Sequence, residues 1–289
     1  MQATNTYHSS TEIEALQSLL DLGNFEQLEQ ECTKILESNK SYSHELIAMT
    51  QVMLSQSFWR RGNRNKGEIA SAIALQLMNE HGSDWSKKSS SQVYGNAGIL
   101  HMQIGMFEKA SEYIKHALEL CIEDQYTEGM TKYLMNLGVL QYYLADYQEA
   151  LSCYKQGLDL AIQLGDERKI ASCETNMGIT YVSISEYEQA LFYYKSALKR
   201  EEALGNAIGI ASLLGNIGVV YSNLGKYTKA IEFYTKAMTL DEQLGVTKNH
   251  AKYYGNMGVV YGSISDFQKA LDCYQKALRI EEDQDNTLG

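Results

Sequence analysis

Apolar side chains recur along this chain three or four residues apart, which is the spacing of an amphipathic helix. Over residues 211–224 they occupy positions 213, 214, 217, 220 and 221, and over residues 227–244 they form a second stripe. This period predicts two consecutive α-helices. Gly225 and Gly245 are expected to end them. No alternating strand pattern or Asn-Gly hairpin occurs, so the pattern predicts an all-α protein.

The helix pair is repeated at a constant interval of 40 residues. Other columns keep the same phase, and in the fourth copy they hold the aromatic Tyr227, the small residues Ala230 and Ala237, and the bulky Met238. An asparagine-x-glycine motif marks the first helix of each copy and begins at Asn96, Asn136, Asn176, Asn216 and Asn256. A fixed period predicts a stacked repeat array. The regular units are 91–130, 131–170, 171–210, 211–250 and 251–289.

Small residues in the repeat are expected to let the two helices of a pair approach closely. A large side chain at Gly218 or Ala230 would force the helices apart and cost about 1–3 kcal/mol. Tyr221, Tyr227 and Tyr234 are expected to fill the gaps between pairs. Aromatic stacking of a base or cofactor is the alternative interpretation of the 21 tyrosines, and core filling is favoured over it.

Residues 1–90 repeat the pattern only in part. Apolar and glycine positions within 11–40 and 44–82 predict two degenerate units, which gives about seven units in all. The polar segment 81–90 is expected to be an irregular connection. Because the end of a repeat array needs an atypical unit to cover its core, we expect residues 1–90 to act as a cap.

The last unit keeps its apolar stripe at Leu271, Tyr274 and Leu278 and then becomes acidic. An apolar face of this kind is expected to be covered. Two possibilities stay open: self-association through this unit, or a chain that continues in a longer protein.

Composition narrows the classes of partner. The net charge of −11 and a pI near 5.1 disfavour nucleic acid, because binding to phosphates depends on lysine and arginine. Arg60, Arg61, Arg64 and Lys66 form one local basic cluster, which is interpreted as a solvated helix end and loop, with a patch for a small anion or an acidic partner as the alternative. No proline is present, which argues against domains joined by linkers.

Cysteine usage and hydropathy point to a reducing compartment and an aqueous environment. The five cysteines are odd in number and show no Cys-x-x-Cys spacing, so packing is favoured over disulfides or a metal site. The first residues contain no signal-peptide core, and no run of 18 apolar residues predicts insertion in a membrane. A cytoplasmic location is expected.

The repeat columns resemble the tetratricopeptide consensus. The period of 40 departs from the usual 34, and the closing proline is replaced by a longer second helix ending at Gly165, Gly205 or Gly245. This variant is similar to kinesin light chains, to Pins-type adaptors and to sensory arrays of bacterial signalling proteins. The resemblance covers residues 91–282. It implies a right-handed α-solenoid, a superhelix of antiparallel helix pairs whose first helices line a concave groove for extended or helical peptides.

The groove implied by the resemblance contains one asparagine from each regular unit. An asparagine side chain has two donors and an acceptor, so it can bond a peptide backbone without reading its sequence. Bonds between neighbouring repeats are the alternative role, and both stay open. The candidate peptide-binding residues are Asn96, Asn136, Asn176, Asn216, Asn256, Lys132, Tyr143, Asn223 and Lys252.

A carboxylate clamp for chaperone tails is disfavoured, because the position three residues after each asparagine is apolar and few bases are available. Those positions hold Ile99, Val139, Ile179, Val219 and Val259. A peptide with apolar anchors and accessible backbone amides fits such a row better. Part of the row is alternatively buried between helices.

The main functional prediction is a module that binds a protein or peptide partner and uses no cofactor or metal. An enzyme is disfavoured, because the six histidines neither repeat nor form a spaced pair, and no phosphate-binding loop occurs. A regulatory input domain of a larger signalling protein is the second possibility, although residues 1–90 contain no basic recognition helix. A self-assembling scaffold is the third.

Overall fold

The computed structural model describes the backbone of residues 2–38, 42–246 and 249–286, and the side chains of residues 11–38, 42–246 and 249–283. The chain divides into two compact units, Met1–Leu144 and Ala145–Gly289. Unit 1 contains a 3-10 helix at Gly82–Asp84. Its α-helices are α1 (Gln2–Asp21), α2 (Phe25–Glu37), α3 (His44–Arg60), α4 (Arg64–His81), α5 (Lys87–Gln103), α6 (Phe107–Glu123) and α7 (Thr127–Tyr143).

Unit 2 is built in the same way from helices of similar length. No helix in the described ranges is both long enough and apolar enough to cross a membrane. The helices of unit 2 are α8 (Tyr147–Leu164), α9 (Glu167–Ser183), α10 (Tyr187–Leu204), α11 (Ala207–Asn223), α12 (Tyr227–Gln243), α13 (His250–Ser263) and α14 (Phe267–Asn286).

Consecutive helices pack as pairs within each unit. In unit 1 the pairs are α1–α2, α3–α4 and α5–α6, and in unit 2 they are α9–α10, α11–α12 and α13–α14. The first helices of successive pairs also touch, α3 with α5 and α5 with α7 in unit 1, and α9 with α11 and α11 with α13 in unit 2. The prediction of an all-α chain of stacked helix pairs is confirmed. Residues 1–90 contain the helix pairs α1–α2 and α3–α4, and that these are degenerate repeat units stays a prediction.

Two predicted boundaries were displaced because polar capping residues extend the helices. Helix α11 begins at Ala207 rather than at 211, since the side chain of Asn206 accepts a hydrogen bond from Gly209 N at 3.3 Å. The irregular connection predicted for 81–90 is wrong in its second half. Helix α5 already begins at Lys87, where Ser86 Oγ accepts from the backbone N of Ser89 at 3.1 Å.

Glycines end two long second helices, as predicted. Gly165 and Gly205 have φ values of 65° and 66°, in the left-handed region where a side chain would be strained. Their backbone N–H groups bond carbonyls of the last helical turn, at 3.0 Å and 3.1 Å respectively. The second helix therefore stops at the same column of both repeats.

In α9, α11 and α13 a glycine lies against a tyrosine ring of the paired second helix. A methyl group on Gly218 would lie 2.6 Å from Cε1 of Tyr234, and one on Gly178 would lie 2.4 Å from Cε1 of Tyr194. Both distances are shorter than carbon atoms tolerate in a close-packed core. Tyr194, Tyr234 and Ala230 are buried. The predicted role of Gly218 is confirmed, and the burial of Ala230 is consistent with the role predicted for it.

A second glycine–tyrosine contact joins one first helix to the next. A methyl group on Gly215 would lie 2.5 Å from Cε1 of Tyr253. The hydroxyl of Tyr253 donates a hydrogen bond to the carbonyl of Ala211 at 3.3 Å. In unit 1, Gly95 makes room for Tyr133 in the same way. Space left by one repeat is thus filled by an aromatic ring of the next.

The cysteines are core residues. All five are free and buried, and burial raises the pKa of Cys32 and of Cys173 to about 12. Thiols with so high a pKa stay protonated at neutral pH and are poor nucleophiles. The prediction that cysteine serves here as a packing residue is confirmed.

One ion pair in the α9–α10 pair has a buried carboxylate and a half-buried arginine. The buried carboxylate of Glu174 accepts hydrogen bonds from Ser196 Oγ at 2.7 Å and from Arg200 Nε at 3.1 Å. Arg200 also forms an ion pair with Glu167. At the equivalent positions, 40 residues later, the chain has Leu214 and Leu240. The same two positions of the repeat therefore hold an ion pair in one copy and two leucines in the next.

Replacing both partners of this ion pair tests that equivalence. We expect Glu174→Leu with Arg200→Leu to be neutral or stabilising by up to about 4 kcal/mol, because both desolvation penalties disappear. Arg200→Leu alone should cost about 3 kcal/mol, since it leaves a buried carboxylate without its counter-ion. Urea denaturation followed by circular dichroism measures both. A double variant less stable than the single one contradicts the prediction.

The Gly215–Tyr253 contact predicts that substitutions at the two positions have non-additive effects on the free energy of unfolding. Gly215→Thr should destabilise by about 1–3 kcal/mol through overpacking, and adding Tyr253→Leu should recover at least about 1 kcal/mol. This pair copies Thr175 and Leu213, which occupy the same columns. Thermal and urea unfolding report the coupling.

The matched control is Gly255→Ala, because a methyl group there meets no atom within 4 Å. It should be neutral or should stabilise through helix propensity by about 1 kcal/mol. If Gly255→Ala destabilised the protein as much as Gly215→Thr does, the loss could not be attributed to packing against the Tyr253 ring, and the prediction would be contradicted.

Candidate functional site

The first helices of unit 2 present matching stripes on the side away from the second helices. Gly178 and Gly218 face the tyrosines of the second helices. Each asparagine lies two residues earlier, about 200° around the helix. We call the opposite side the first-helix face of unit 2. It consists of Ser172, Asn176, Ile179, Ser183, Ser212, Asn216, Val219, Asn223, Lys252, Asn256, Val259 and Ser263.

Three asparagine amides lie half-buried on this face, one on each of α9, α11 and α13. They belong to Asn176, Asn216 and Asn256. Within the described ranges, their side-chain amides form no hydrogen bond to another residue. A solvated amide keeps two donors and an acceptor available. These three side chains can therefore bond a ligand without breaking a contact of the fold.

The apolar row beside the asparagines is accessible in part. Val259 is 55 % exposed, while Ile179 and Val219 are half-buried. The question left open by the sequence is thus resolved for unit 2, because no member of this row is fully buried between helices. Such side chains offer shallow apolar contacts to a bound chain.

The face is open and almost uncharged. Methyl groups built on Gly255 and Gly262 of α13 would meet no atom within 4 Å. Lys252 is exposed and is the single charged residue of the twelve that form the face. The face therefore differs from the rest of a chain whose net charge is −11, and it does not repel a neutral or acidic ligand.

The asparagines of unit 1 have different surroundings. Asn96 is 3 % exposed. Its Nδ2 donates to Ser55 Oγ at 3.2 Å and to Ser71 Oγ at 3.3 Å. Asn136 is half-buried, and its Nδ2 is buried without a partner in the described part of the chain. The geometry of Asn96 fits the alternative role, in which the asparagine joins neighbouring repeats.

Lys132 and Tyr143 extend the stripe of Asn136 along α7. The ammonium group of Lys132 lies 5.5 Å from the ring centroid of Tyr133, a cation–π geometry. Tyr143 is 62 % exposed and stacks on Phe107 with ring centroids 6.1 Å apart. The structure thus groups the predicted residues as Lys132, Asn136 and Tyr143 on α7, and Asn176, Asn216, Asn223, Asn256 and Lys252 in unit 2.

Sequence reasoning missed the serines of the face. Ser172 and Ser212 lie four residues before an asparagine, and Ser183 and Ser263 lie seven after one, so they share its stripe. All four are exposed. The signal was available as a repeated small polar residue at these two offsets.

The described residues offer no chemistry for a metal. Among them, no three His, Cys, Asp or Glu side chains converge as metal ligands would. The side chains whose pKa departs most from its usual value are buried tyrosines and cysteines. Burial raises the pKa of Tyr253, for example, to about 12. These shifts result from core packing and do not mark a reactive group.

Comparisons with known proteins agree with this architecture. The family profile described as "Tetratricopeptide repeat" matches residues 89–163, 129–203 and 209–283, which together make up more than half of the chain. No curated protein matches the sequence significantly.

Solved structures of similar fold have low sequence identity. A Rap protein complexed with competence and sporulation factor is 19 % identical, with a TM-score of 0.71 over 94 % of this chain and 76 % of that one. NprR in complex with its cognate peptide NprX is 18 % identical, with a TM-score of 0.68 over 93 % and 77 %. A signal transduction ATPase with a tetratricopeptide repeat sensor, from Pyrococcus horikoshii, is 19 % identical, with a TM-score of 0.75 over 98 % and 42 %.

The two environments of the asparagines predict effects of different size for the same substitution. Asn96→Ala should lower the free energy of unfolding by about 1–2 kcal/mol, because two buried hydrogen bonds are lost. Asn216→Ala should change it by less than about 0.5 kcal/mol, because its amide has no partner in the fold. Urea denaturation measures both. Equal losses at the two sites would mean that the ladder is structural throughout.

Proposed function

The chain belongs to the tetratricopeptide repeat family, and we propose that it binds an extended peptide segment of another protein on the first-helix face of unit 2. The observation that carries the proposal is the row of three half-buried amides, Asn176, Asn216 and Asn256, whose bonding capacity the fold leaves unused. Extended surfaces of repeat arrays are a general device for binding.

The dimensions of helices and strands set the length of the bound segment. Packed helices are about 8–10 Å apart, and an extended chain advances about 3.3 Å per residue. One asparagine is then available for about every third residue of the peptide. A segment of about seven residues would reach all three asparagines, which favours a short linear motif as the ligand.

The side chains of the face indicate the composition of that segment. Ile179, Val219 and Val259 favour small apolar anchors on the side that faces the helices. Lys252 favours a carboxylate near α13, whereas the face offers no acid to a basic peptide. Two proteins of similar fold were solved as complexes, NprR with its cognate peptide and a Rap protein with competence and sporulation factor, which supports a peptide as the ligand.

In this proposal the chain does not catalyse a reaction. Its five cysteines are buried, burial raises the pKa of Cys32 and of Cys173 to about 12, and the polar groups of the face are amides, hydroxyls and one lysine. None of these types is paired there with a base, as nucleophilic catalysis requires. Binding is therefore the activity that the face supports best.

A regulatory input domain is the second candidate. It is favoured by the likeness to the ATPase with a tetratricopeptide repeat sensor, of which this chain spans 42 %. In that case the same face would bind a signal, and the bound state would be read by another part of a longer protein. Both candidates require a ligand on the first-helix face of unit 2.

The test compares peptide binding to the wild type and to a variant with Asn176→Ala, Asn216→Ala and Asn256→Ala. Peptides selected from a random library on the wild type should bind the variant about 100-fold more weakly, because about three net hydrogen bonds of 1 kcal/mol each are lost. Fluorescence anisotropy measures the affinities, and circular dichroism verifies that the variant is helical.

The matched control carries Asn63→Ala, Asn65→Ala and Asn79→Ala, three exposed asparagines of unit 1. It should bind as the wild type does. The selected peptide can be N-methylated at every third residue in three different registers. Only the register that removes the N–H groups facing the asparagines should weaken binding. Unchanged affinity of the first variant would sink the proposal.

A further inference from the structure

A cavity of about 340 Å³ lies in unit 1, where it is lined by helix α1, the end of helix α2 and Tyr42. Leu16, Leu19 and Ile35 supply apolar walls. Sites for small molecules usually have volumes of about 300–1,000 Å³, with mainly apolar walls and a few polar groups that orient the ligand. The size and the lining of this cavity fit that description.

One carboxylate oxygen at this cavity is unsatisfied. Glu12 is half-buried and lines the cavity, and its Oε2 is buried without a hydrogen-bond partner in the described part of the chain. Among the described residues that line the cavity, Lys34 is the only base. Its side chain is 68 % exposed, and its ammonium group bonds Glu31 Oε1 at 2.6 Å. Because a buried acceptor without a donor costs free energy, Glu12 favours a cation beside it.

The α9–α10 pair has a carboxylate at the corresponding place. The turn inside each of the two pairs contains one residue with a left-handed backbone, Gly23 with a φ of 71° and Ser185 with a φ of 62°. Glu12 and Glu174 each lie eleven residues before that residue. Glu174 accepts a hydrogen bond from Nε of Arg200 at 3.1 Å. In the α9–α10 pair, a guanidinium group therefore compensates the carboxylate at this position.

Ser38 occupies the position of Arg200 in the α1–α2 pair. Each follows the left-handed residue of its own pair by fifteen positions, and Ser38 lines the cavity. A serine lacks both the aliphatic stem and the guanidinium group of an arginine. Helix α2 also ends at Glu37, whereas α10 continues to Leu204. The cavity and the unsatisfied carboxylate thus have the same origin, which is the missing arginine.

We propose that this cavity binds a small organic cation, with a guanidinium or ammonium head on Glu12 and an alkyl body against the apolar walls. A guanidinium group donates in a fork that fits a carboxylate, and burial of the alkyl body adds hydrophobic stabilisation. The site belongs to unit 1 alone. The proposal does not rest on peptide binding by the first-helix face of unit 2.

The lining disfavours other ligands. Glu12 and Glu31 repel an anion. A calcium ion takes six to eight oxygen ligands, and no three His, Cys, Asp or Glu side chains converge among the described residues. A single water molecule occupies about 30 Å³, less than a tenth of the cavity volume of about 340 Å³. An organic monocation satisfies the carboxylate and fills the apolar space as well.

The first experiment titrates isotope-labelled residues 1–289 with butylguanidinium and follows backbone amide signals by NMR. Signals of α1 and α2 should shift with a dissociation constant of about 1 mM, as expected for a ligand of about eight non-hydrogen atoms. Butylurea has the same shape without the charge and should bind at least about 10-fold more weakly. Equal affinities for the two compounds, or no shift with butylguanidinium, overturn the proposal.

A pair of charge-matched variants tests the role of Glu12. Glu12→Gln should weaken the binding of butylguanidinium at least about 10-fold, because it removes the charge that the ligand compensates. Glu14→Gln removes the same charge from an exposed residue of α1 and should bind as the wild type does. Circular dichroism verifies that both variants are helical. Wild-type affinity in Glu12→Gln contradicts the proposal.

The last variant supplies the missing group from the chain itself. Ser38→Arg should weaken the binding of butylguanidinium at least about 10-fold, because its own guanidinium group occupies the cavity. It should also raise the midpoint of thermal unfolding by about 2–4 °C, and this gain should disappear when Glu12→Gln is added. Wild-type affinity in Ser38→Arg, or a gain that survives Glu12→Gln, overturns the assignment of Glu12 as the group that holds the cation.

Discussion

The close contact between a glycine of the first helix and a tyrosine ring of the second is the constraint on which the other features depend. At Gly218 and Tyr234 there is no room for even a methyl group. Because the ring fixes which side of the first helix faces its partner, the opposite side is fixed as well. Asn216 lies on that opposite side, about 200° away. The candidate binding face is thus a consequence of packing inside the pair.

The helix pairs could be predicted because their features recur in the chain with a constant period. Apolar stripes, small residues at contacts and glycines at helix ends each depend on neighbours within one repeat. The starts of the first helices were less predictable. They depend on polar caps such as Ser86 and Asn206, which a search for apolar periodicity does not weigh.

The candidate site was predictable as a set of columns, but not residue by residue. Five asparagines occupy one column, yet Asn96 bonds Ser55 and Ser71, which belong to the preceding helix pair α3–α4. Forty residues later the same two columns hold Gly95 and Ser111, and in the following repeats the column of Ser71 holds only apolar residues, Leu151, Leu191, Ile231 and Leu271. The environment of an asparagine is set by side chains 25 and 41 residues earlier. A repeat consensus averages over these differences.

The last helix pair shows that the stability of a repeat array is determined locally, since each pair is stabilised mainly by its neighbours. Asp241 and His250 are buried, where the preceding repeat has the half-buried Glu201 and Ile210. Asp241 accepts a hydrogen bond from Asn249 at 3.2 Å, but its Oδ1 and His250 Nε2 are buried without a partner in the described part of the chain.

Buried groups of this kind cost free energy, and they lie at the junction of α12 and α13, next to helix α14, whose Phe267, Leu271 and Leu278 are exposed. The α13–α14 pair therefore combines unsatisfied polar groups on its inner side with uncovered apolar surface on its outer side. A helix packed on α14 would cover the apolar surface, but it would leave Asp241 Oδ1 and His250 Nε2 without a partner, so the two costs are independent.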